Sequence, residues 1–319
     1  MGLHISRNDV PGHSETLNSG GLGAKSGMGV HGNECSLSSV TRQPDYHTMP
    51  HRHDGEQVNY VLDGEIWFYV GNKACRCRPG DFQRIPRNAI HWAWNRSDKP
   101  ATVIQTKSPP AAEDAHNWRA PGLFDDDEAP SLRIRANEHE DIYEHDAEIA
   151  EESEPLTNGL YVPAEKLPLV RSQHPTTSGE PEVRGVYGTE LGYALVGWPA
   201  GYHSSPYLHD AEALIHILDG EIWIFVEDRG FRCQAGDFQR IPRNAIHWEW
   251  NVSDKPARAI VEYSPPLLEM DTISLKAGAT PEGWVALFDD EEEPRLYGNA
   301  RIYGVTYDGS KTEARYGLK

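Results

Sequence analysis

The stretch that decides the fold runs from Pro50 to Asn95: PHRHDGEQVNYVLDGEIWFYV over 50–70, a short turn-rich insert, then GDFQRIPRNAIHWAWN over 80–95. His51 and His53 stand two residues apart, so on a strand both imidazoles leave the same face. Gln57 follows four residues after His53 across Asp54-Gly55, and His91 arrives after a turn at Pro86-Arg87-Asn88. These side chains, three imidazoles and one amide, can converge on one cation. Imidazole suits Zn, Cu, Fe and Ni, and a shell without a carboxylate leaves the ion nearly its full double charge, which makes it a strong Lewis acid. Strand histidines satisfied by hydrogen bonds are the alternative; the number of histidines and their spacing favour the metal.

Outward from this stretch, short apolar runs separated by Gly, Pro, Asp and Asn, with alternation in Glu65-Ile66-Trp67-Phe68-Tyr69-Val70, predict an antiparallel β-domain from Gly29 onward. The pattern then returns at a fixed offset. His247 follows His91, Gly220 follows Gly64 and Pro206 follows Pro50 by 156 residues each, without a gap from Gly29/Gly185 to Pro110/Pro266. The stretch from Gly80 to Trp92 is identical to that from Gly236 to Trp248. Two copies of one β-barrel follow.

The anchors of the first copy, His51, His53, Gln57 and Gly64, then Gly80, Pro86, His91 and Asn95, resemble the two motifs of the cupin superfamily. With the duplication, the resemblance is to bicupins and covers most of the chain. It implies an all-β fold of two tandem jelly-roll-like barrels with short peripheral helices. The expected division is an N-terminal arm 1–28, a metal-binding barrel 29–124, an acidic linker 125–156, a second barrel 157–288 with a degenerate metal site, and a C-terminal tail 289–319. Gln57 stands where Glu is commoner in the family, which speaks against a mechanism dependent on a carboxylate there.

Carried across by the offset, the ligand positions become Tyr207 for His51, His209 for His53, Ala213 for Gln57 and His247 for His91. Asn59, of the same strand parity as Gln57, becomes Ile215, so the first pocket is polar and the second apolar. The second barrel therefore reads as structural. A two-His-one-carboxylate site of His209, His247 and Glu249 is a minor alternative, and Glu249 reads more simply as a surface acid. Its counterpart Ala93 leaves room beside His91 for a substrate. Arg84 and Arg87 recur as Arg240 and Arg243; Arg87 reads as structural. The planar fork of Arg84 makes it a candidate clamp for a substrate carboxylate, with Asn59 as a neighbouring donor. Trp92 and Trp94 recur as Trp248 and Trp250 and read as packing residues opposite His91.

Lys plus Arg is 30 and Asp plus Glu is 49, a net charge of −19 that repels nucleic acid and anionic membrane surfaces. No run of eighteen apolar residues and no apolar core of the signal-peptide kind is present, so a soluble cytoplasmic protein is expected. Cys35, Cys75, Cys77 and Cys233 are too few for a disulfide framework and read as free thiols. The Gly-rich opening, Met1 to about Gly29, predicts an irregular arm or a partner-contacting tail. The acidic linker predicts a solvated connector with a short helix around Asp141 to Glu151.

The resemblance implies one divalent metal ion per chain, Fe2+ first, with Mn2+, Zn2+, Ni2+ and Co2+ as alternatives. The first functional expectation is a non-heme Fe(II)-type dioxygenase acting on a small aromatic, dicarbonyl or carboxylate substrate, with that anion and O2 as its partners. A metal-dependent isomerase, cyclase or decarboxylase is the second. A ligand-binding bicupin without turnover is the third, since fold alone does not imply function. A homodimer is left open.

Overall fold

Alternating apolar positions bounded by turn residues form strands through most of the computed structural model of the chain, which describes residues 2–16, 23–48, 50–110, 118–119, 148–149, 159–170, 176–267, 272–274 and 309–318. The fold is all-β, and the chain divides into two compact units that are not contiguous in sequence. One comprises Pro11–Pro168 with Val186–Leu191; the other comprises Met1–Val10, Leu169–Gly185 and Gly192–Lys319.

The unit around the first repeat has two sheets. One runs in the order Tyr161–Val162, Phe82–Ile85, Glu56–Asp63, Ala101–Ser108, Ser36–Arg42, Ala24–His31, Gly12–Thr16. The other runs Trp118–Arg119, His51–Arg52, His91–Trp94, Ile66–Val70, Lys73–Cys77, Glu148–Ile149. Inward residues of both meet in a core of Val61, Ile66, Phe68, Cys75, Cys77, Ala93, Ala101 and Val103. On the opposite side of the second sheet Trp92 stacks on Tyr69 at 4.8 Å, the packing expected of a residue that faces away from His91.

The other unit repeats this plan. Phe238–Ile241, Glu212–Asp219, Ala257–Ser264 and Gly192–Trp198 lie side by side in one sheet, and His247–Trp250 pairs with Tyr207–His209 and Glu221–Val226 in the other. Gly64 and its counterpart Gly220 sit at φ 77° and 73°. A Cβ at Gly64 would run into the carbonyl of Pro100, so the close turn before the next strand requires glycine at both places.

Three expectations are corrected. The opening is not an irregular arm: His4–Ile5, Gly12–Thr16 and Ala24–His31 are strands. Bare backbone is what this stretch supplies, since a Cβ at Gly29 would lie 2.6 Å from that of Ser38 on the paired strand. The barrels also do not divide at residue 157. Tyr161–Val162 covers the edge strand Phe82–Ile85, while His4–Ile5 covers the matching edge Phe238–Ile241. Both arriving segments are received by the aspartate of the GDFQR motif. Tyr161 Oη and Ala164 N donate to Asp81 at 2.9 Å each, and Arg7 N donates to Asp237 at 2.8 Å. Of the expected linker helix only Glu148–Ile149 lies within the described residues, and it is a strand parallel to Lys73–Ala74.

The remainder of the linker and residues 289–308 of the tail lie outside the described residues. Peripheral helix is confined, among the described residues, to a 3-10 turn at Ala164–Lys166 and the helix Ser310–Arg315. Glu313 of that helix accepts from Trp248 Nε1 at 3.0 Å and contacts His203 Nε2 at 2.8 Å. All four cysteines are buried thiols outside any disulfide, as expected. Among the described residues no helix is long and apolar enough to cross a membrane.

Candidate metal centre

His51 and His91 are directly paired across two antiparallel strands, and His53 follows on the turn into Glu56–Asp63. Their ring centroids lie 4.2 Å (His51–His91), 4.7 Å (His53–His91) and 6.2 Å (His51–His53) apart. Among the described residues no group of three or more His, Cys, Asp and Glu side chains stands at preformed metal-holding spacing. The structure does hold one facing pair of polar side chains, His53 with Gln57, and two imidazoles beside it.

Neighbouring groups fix where the protons of that pair lie. His53 Nδ1 lies 2.9 Å from Gly55 O, and a carbonyl only accepts, so Nδ1 carries the proton of the neutral ring. Nε2 is then an acceptor, and it faces Gln57 Oε1 at 3.1 Å. The amide cannot turn round to offer its NH2. Gln83 Nε2 donates to Arg84 O (2.6 Å), Asn59 Nδ2 donates to Gln83 Oε1 (2.7 Å), and Gln57 Nε2 donates to Asn59 Oδ1 (2.8 Å). A backbone carbonyl at the far end fixes the sense of the whole relay and turns the Gln57 oxygen toward His53.

Two acceptors at 3.1 Å need a proton or a cation between them. Burial pushes the His53 imidazole down to about 4, with Lys107 adding to the shift, so a proton does not serve at neutral pH. A metal with bonds of about 2.1 Å to N and O at right angles sets its ligands roughly 3.0 Å apart. The donor set therefore fits a divalent ion. His91 is prepared in the same way: its Nδ1 donates to Ala89 O at 2.9 Å, and burial with the neighbouring imidazoles lowers its basicity further.

The other sequence candidates fare differently. Asn59 is fully buried beside the centre, but its side chain is spent on holding Gln57. Arg84 is paired with Val58 and Gln83 with Asn59 across the strands, so Arg84 leaves the sheet face opposite the histidines. There its guanidinium is ion-paired with the buried Glu56 and donates to Thr189 Oγ1 at 2.7 Å. The expected clamp on a substrate carboxylate is thus corrected: Arg84 is a structural cation. Glu56 in turn accepts from the backbone N–H of Thr189, Glu190 and Leu191 at 3.1, 2.7 and 3.0 Å. Arg87 is structural as expected, binding Asp54 and both oxygens of Glu190.

Two residues beside the centre were not singled out from sequence. Gln83 anchors the relay; it recurs as Gln239, so comparing the copies offered no contrast. Lys107 lies directly across from Gln57 on the neighbouring strand. Burial, Lys25 and Arg42 push its ammonium down to about 8. Its counterpart is Tyr263, a charged-to-neutral change that comparing the copies could have exposed.

In the second copy Tyr207, His209 and His247 keep the spacing of the first triad, with ring centroids 4.1, 4.7 and 6.3 Å apart. His209 and His247 also keep their Nδ1 bonds to carbonyls, at 2.9 Å each. Glu249, expected at the surface, is buried instead. It accepts from Tyr207 Oη at 2.8 Å and Ser204 Oγ at 2.9 Å, so both of its oxygens are engaged in a hydrogen-bonded plug. Ala213 supplies no ligand oxygen.

Comparison with known proteins agrees with this architecture. The cupin domain family matches residues 39–106 and again 194–263. Each of the two units therefore contains a match to the cupin domain, and the architecture is a tandem pair of antiparallel β-barrels like that of bicupins. Similar solved structures include a variant of oxalate decarboxylase from Bacillus subtilis, at 14% identity over 92% of this chain and 85% of that one, TM-score 0.64. The oxalate decarboxylase of Lactobacillus farciminis in complex with formate gives 14% identity, 98% and 96% coverage and a TM-score of 0.62. AerE from Microcystis aeruginosa gives 15% identity, 80% and 97% coverage and a TM-score of 0.56. At such identities the likeness is one of fold. Comparison with the curated proteins finds no match.

Proposed function

We propose that the first barrel is the centre of a metal-dependent enzyme, in which His51, His53, Gln57 and His91 hold one divalent cation and a small anion is the substrate. The observation that carries the reading is the pair of opposed acceptors, His53 Nε2 and Gln57 Oε1, held at 3.1 Å by a relay that ends on a backbone carbonyl. A fold without a cation to receive those lone pairs would gain by reversing the amide.

The reaction we propose first is that of a non-heme Fe(II)-type dioxygenase on an aromatic, dicarbonyl or carboxylate substrate. A bound redox ion would supply electron transfer between substrate and O2. The chain's own residues do the rest. Asn59 and Gln83 keep the Gln57 oxygen pointing inward, Ala93 leaves space beside His91, and Lys107 offers positive charge to the anion. Iron is an expectation of this reading, and Mn(II) stands beside it, since the oxalate decarboxylase of Bacillus subtilis, similar in fold, has Mn(II) centres.

A second reading is supported by Lys107. An ammonium lowered to about 8 beside the centre can give and take a proton on a substrate near neutral pH, as an isomerase, cyclase or decarboxylase needs. Elemental analysis of protein purified without added metal, followed by O2 uptake with Fe(II) and by turnover under nitrogen with Zn(II) or Co(II), separates the two. Uptake of O2 with Fe(II) supports the dioxygenase, full anaerobic turnover assigns the second reading, and absence of any bound divalent metal overturns both.

A further inference from the structure

Arg42 is 5% exposed, and the structure leaves most of its guanidinium unmet. Nη2 donates to Gln105 Oε1 at 2.9 Å, but Nε and Nη1 are buried without a hydrogen-bond partner among the described residues. Around it stand the rings of Tyr46 and Phe68, 5.6 and 5.9 Å from the guanidinium carbon, and the polar end of Tyr46 favours the cation without outweighing its burial. Aromatic faces soften the burial of a cation without neutralising it. Lys107 lies close enough to Lys25 and Arg42 for both to weaken its hold on its proton, and neither Arg42 nor Lys107 has an ion-pair partner among the described residues.

Register places these groups together with the centre. Lys107 pairs with Gln57 and with Ser36, Gln105 with Asn59 and with Ser38, and Ala101 with Arg42, so all of them leave the same face of one sheet. The order from the histidines into the barrel is Gln57 and Lys107, then Asn59 and Gln105 with the Arg42 head, then the apolar floor of Val61, Val103 and Ala101. One such step of two residues is roughly 7 Å. A chain of net charge −19 thus keeps a buried Arg42 and a half-buried Lys107 on the inner face of this barrel, Lys107 level with Gln57 and the Arg42 head one step further in.

Like charges buried together without counterions are costly, and proteins keep them where a ligand completes the pairing. The second copy serves as an internal control. Arg42 is replaced there by Trp198, Gln105 by Val261 and Lys107 by Tyr263, together with the loss of the ligand set.

We infer that the first barrel takes a small dianion, a short dicarboxylate or oxo-dicarboxylate, with one oxyanion at the histidine centre and the other seated on Arg42 and Lys107. This rests on the metal-centre reading for its first anchor, but the second anchor stands on Arg42 and Lys107 alone.

The test is calorimetry on the full chain, loaded with Zn(II), using succinate against butyrate, with metal content measured on every sample. Succinate should bind tighter than butyrate by roughly tenfold or more, because a site built for two anions leaves a cation unpaired with one. Arg42→Gln and Lys107→Met should each erase most of that preference and leave the metal content unchanged. Equal binding of succinate and butyrate by the unmodified chain overturns the inference, as does a preference that survives in both variants.

Thermal unfolding without ligand adds a readout that a purely structural arginine would move the other way. Arg42→Met should leave the midpoint unchanged or raise it, since an unpaired buried charge is removed. A large drop would make Arg42 structural and sink the second anchor. If the unmodified chain holds no metal yet still prefers succinate, the metal-centre reading fails and the dianion seat stands.

Discussion

The two barrels share a frame and differ in what fills it. At matched positions the first has His51, Gln57, Asn59, Ala93, Gln105 and Lys107, and the second has Tyr207, Ala213, Ile215, Glu249, Val261 and Tyr263. Both retain a pair of histidines whose Nδ1 atoms are tied to carbonyls at 2.9 Å. In the first barrel this directs the His53 lone pair at an amide oxygen; in the second the two imidazoles adjoin a tyrosine that donates to a buried glutamate. A prepared histidine is therefore a property of the barrel strand and turn. What sets the first copy apart, among the described residues, is the amide relay through Gln57, Asn59 and Gln83, which has no counterpart at Ala213 and Ile215.

The largest effect expected from this contrast is on metal content. His91→Ala should abolish binding of the single divalent ion, whereas His247→Ala should leave one ion per chain, as read by elemental analysis. Two ions per chain in the unmodified protein, or loss on His247→Ala, would end the division of labour.

Next in size is a change that should strike both copies. Glu56 and Arg84 are almost wholly buried, with side-chain exposures of 0% and 6%, and Glu212 and Arg240 repeat the pair at 1% and 13%. Removing the acid strands a buried guanidinium, which costs about 3–5 kcal/mol. Glu56→Gln should lose close to that amount in denaturant unfolding, and Glu212→Gln less, because Arg240 is better reached by water. A substrate-binding role for Arg84 would be revived if Glu56→Gln proved as stable as the parent.

The smallest effect sharpens the comparison within the first copy. Asn59→Leu cuts the relay without touching a ligand, so metal affinity should fall about 10–100-fold, the usual range for a residue that orients a ligand. Gln57→Ala should weaken retention less than His53→Ala. A competitive metal titration showing no change for Asn59→Leu would mean that Gln57 needs no help in facing His53.

Much of this was legible in the chain, for reasons particular residues make plain. The His51-x-His53 spacing and the 156-residue offset are local or periodic, and strand parity converts them directly into shared faces. Arg84 was misread because sequence assigned its chemistry without its face: the register Val58–Arg84 turns it away, and its partner Glu56 is 28 residues off. Glu249 was misread because an acid in a strand is usually exposed, and only the Tyr207 and Ser204 hydroxyls, more than forty positions upstream, make its burial tolerable.

Sequence by itself determined that this is a duplicated all-β chain whose two copies differ at the histidine cluster, since patterning and repeat identity are carried residue by residue along the chain. Only the tertiary structure decided that the opening residues and Tyr161–Val162 serve as edge strands, because an open sheet edge recruits whatever backbone is near in space rather than in sequence. It also decided that Gln57 must present oxygen and that Arg42 keeps unmet donors. Hydrogen-bond polarity and the pairing of buried charge are settled by neighbours from several strands at once.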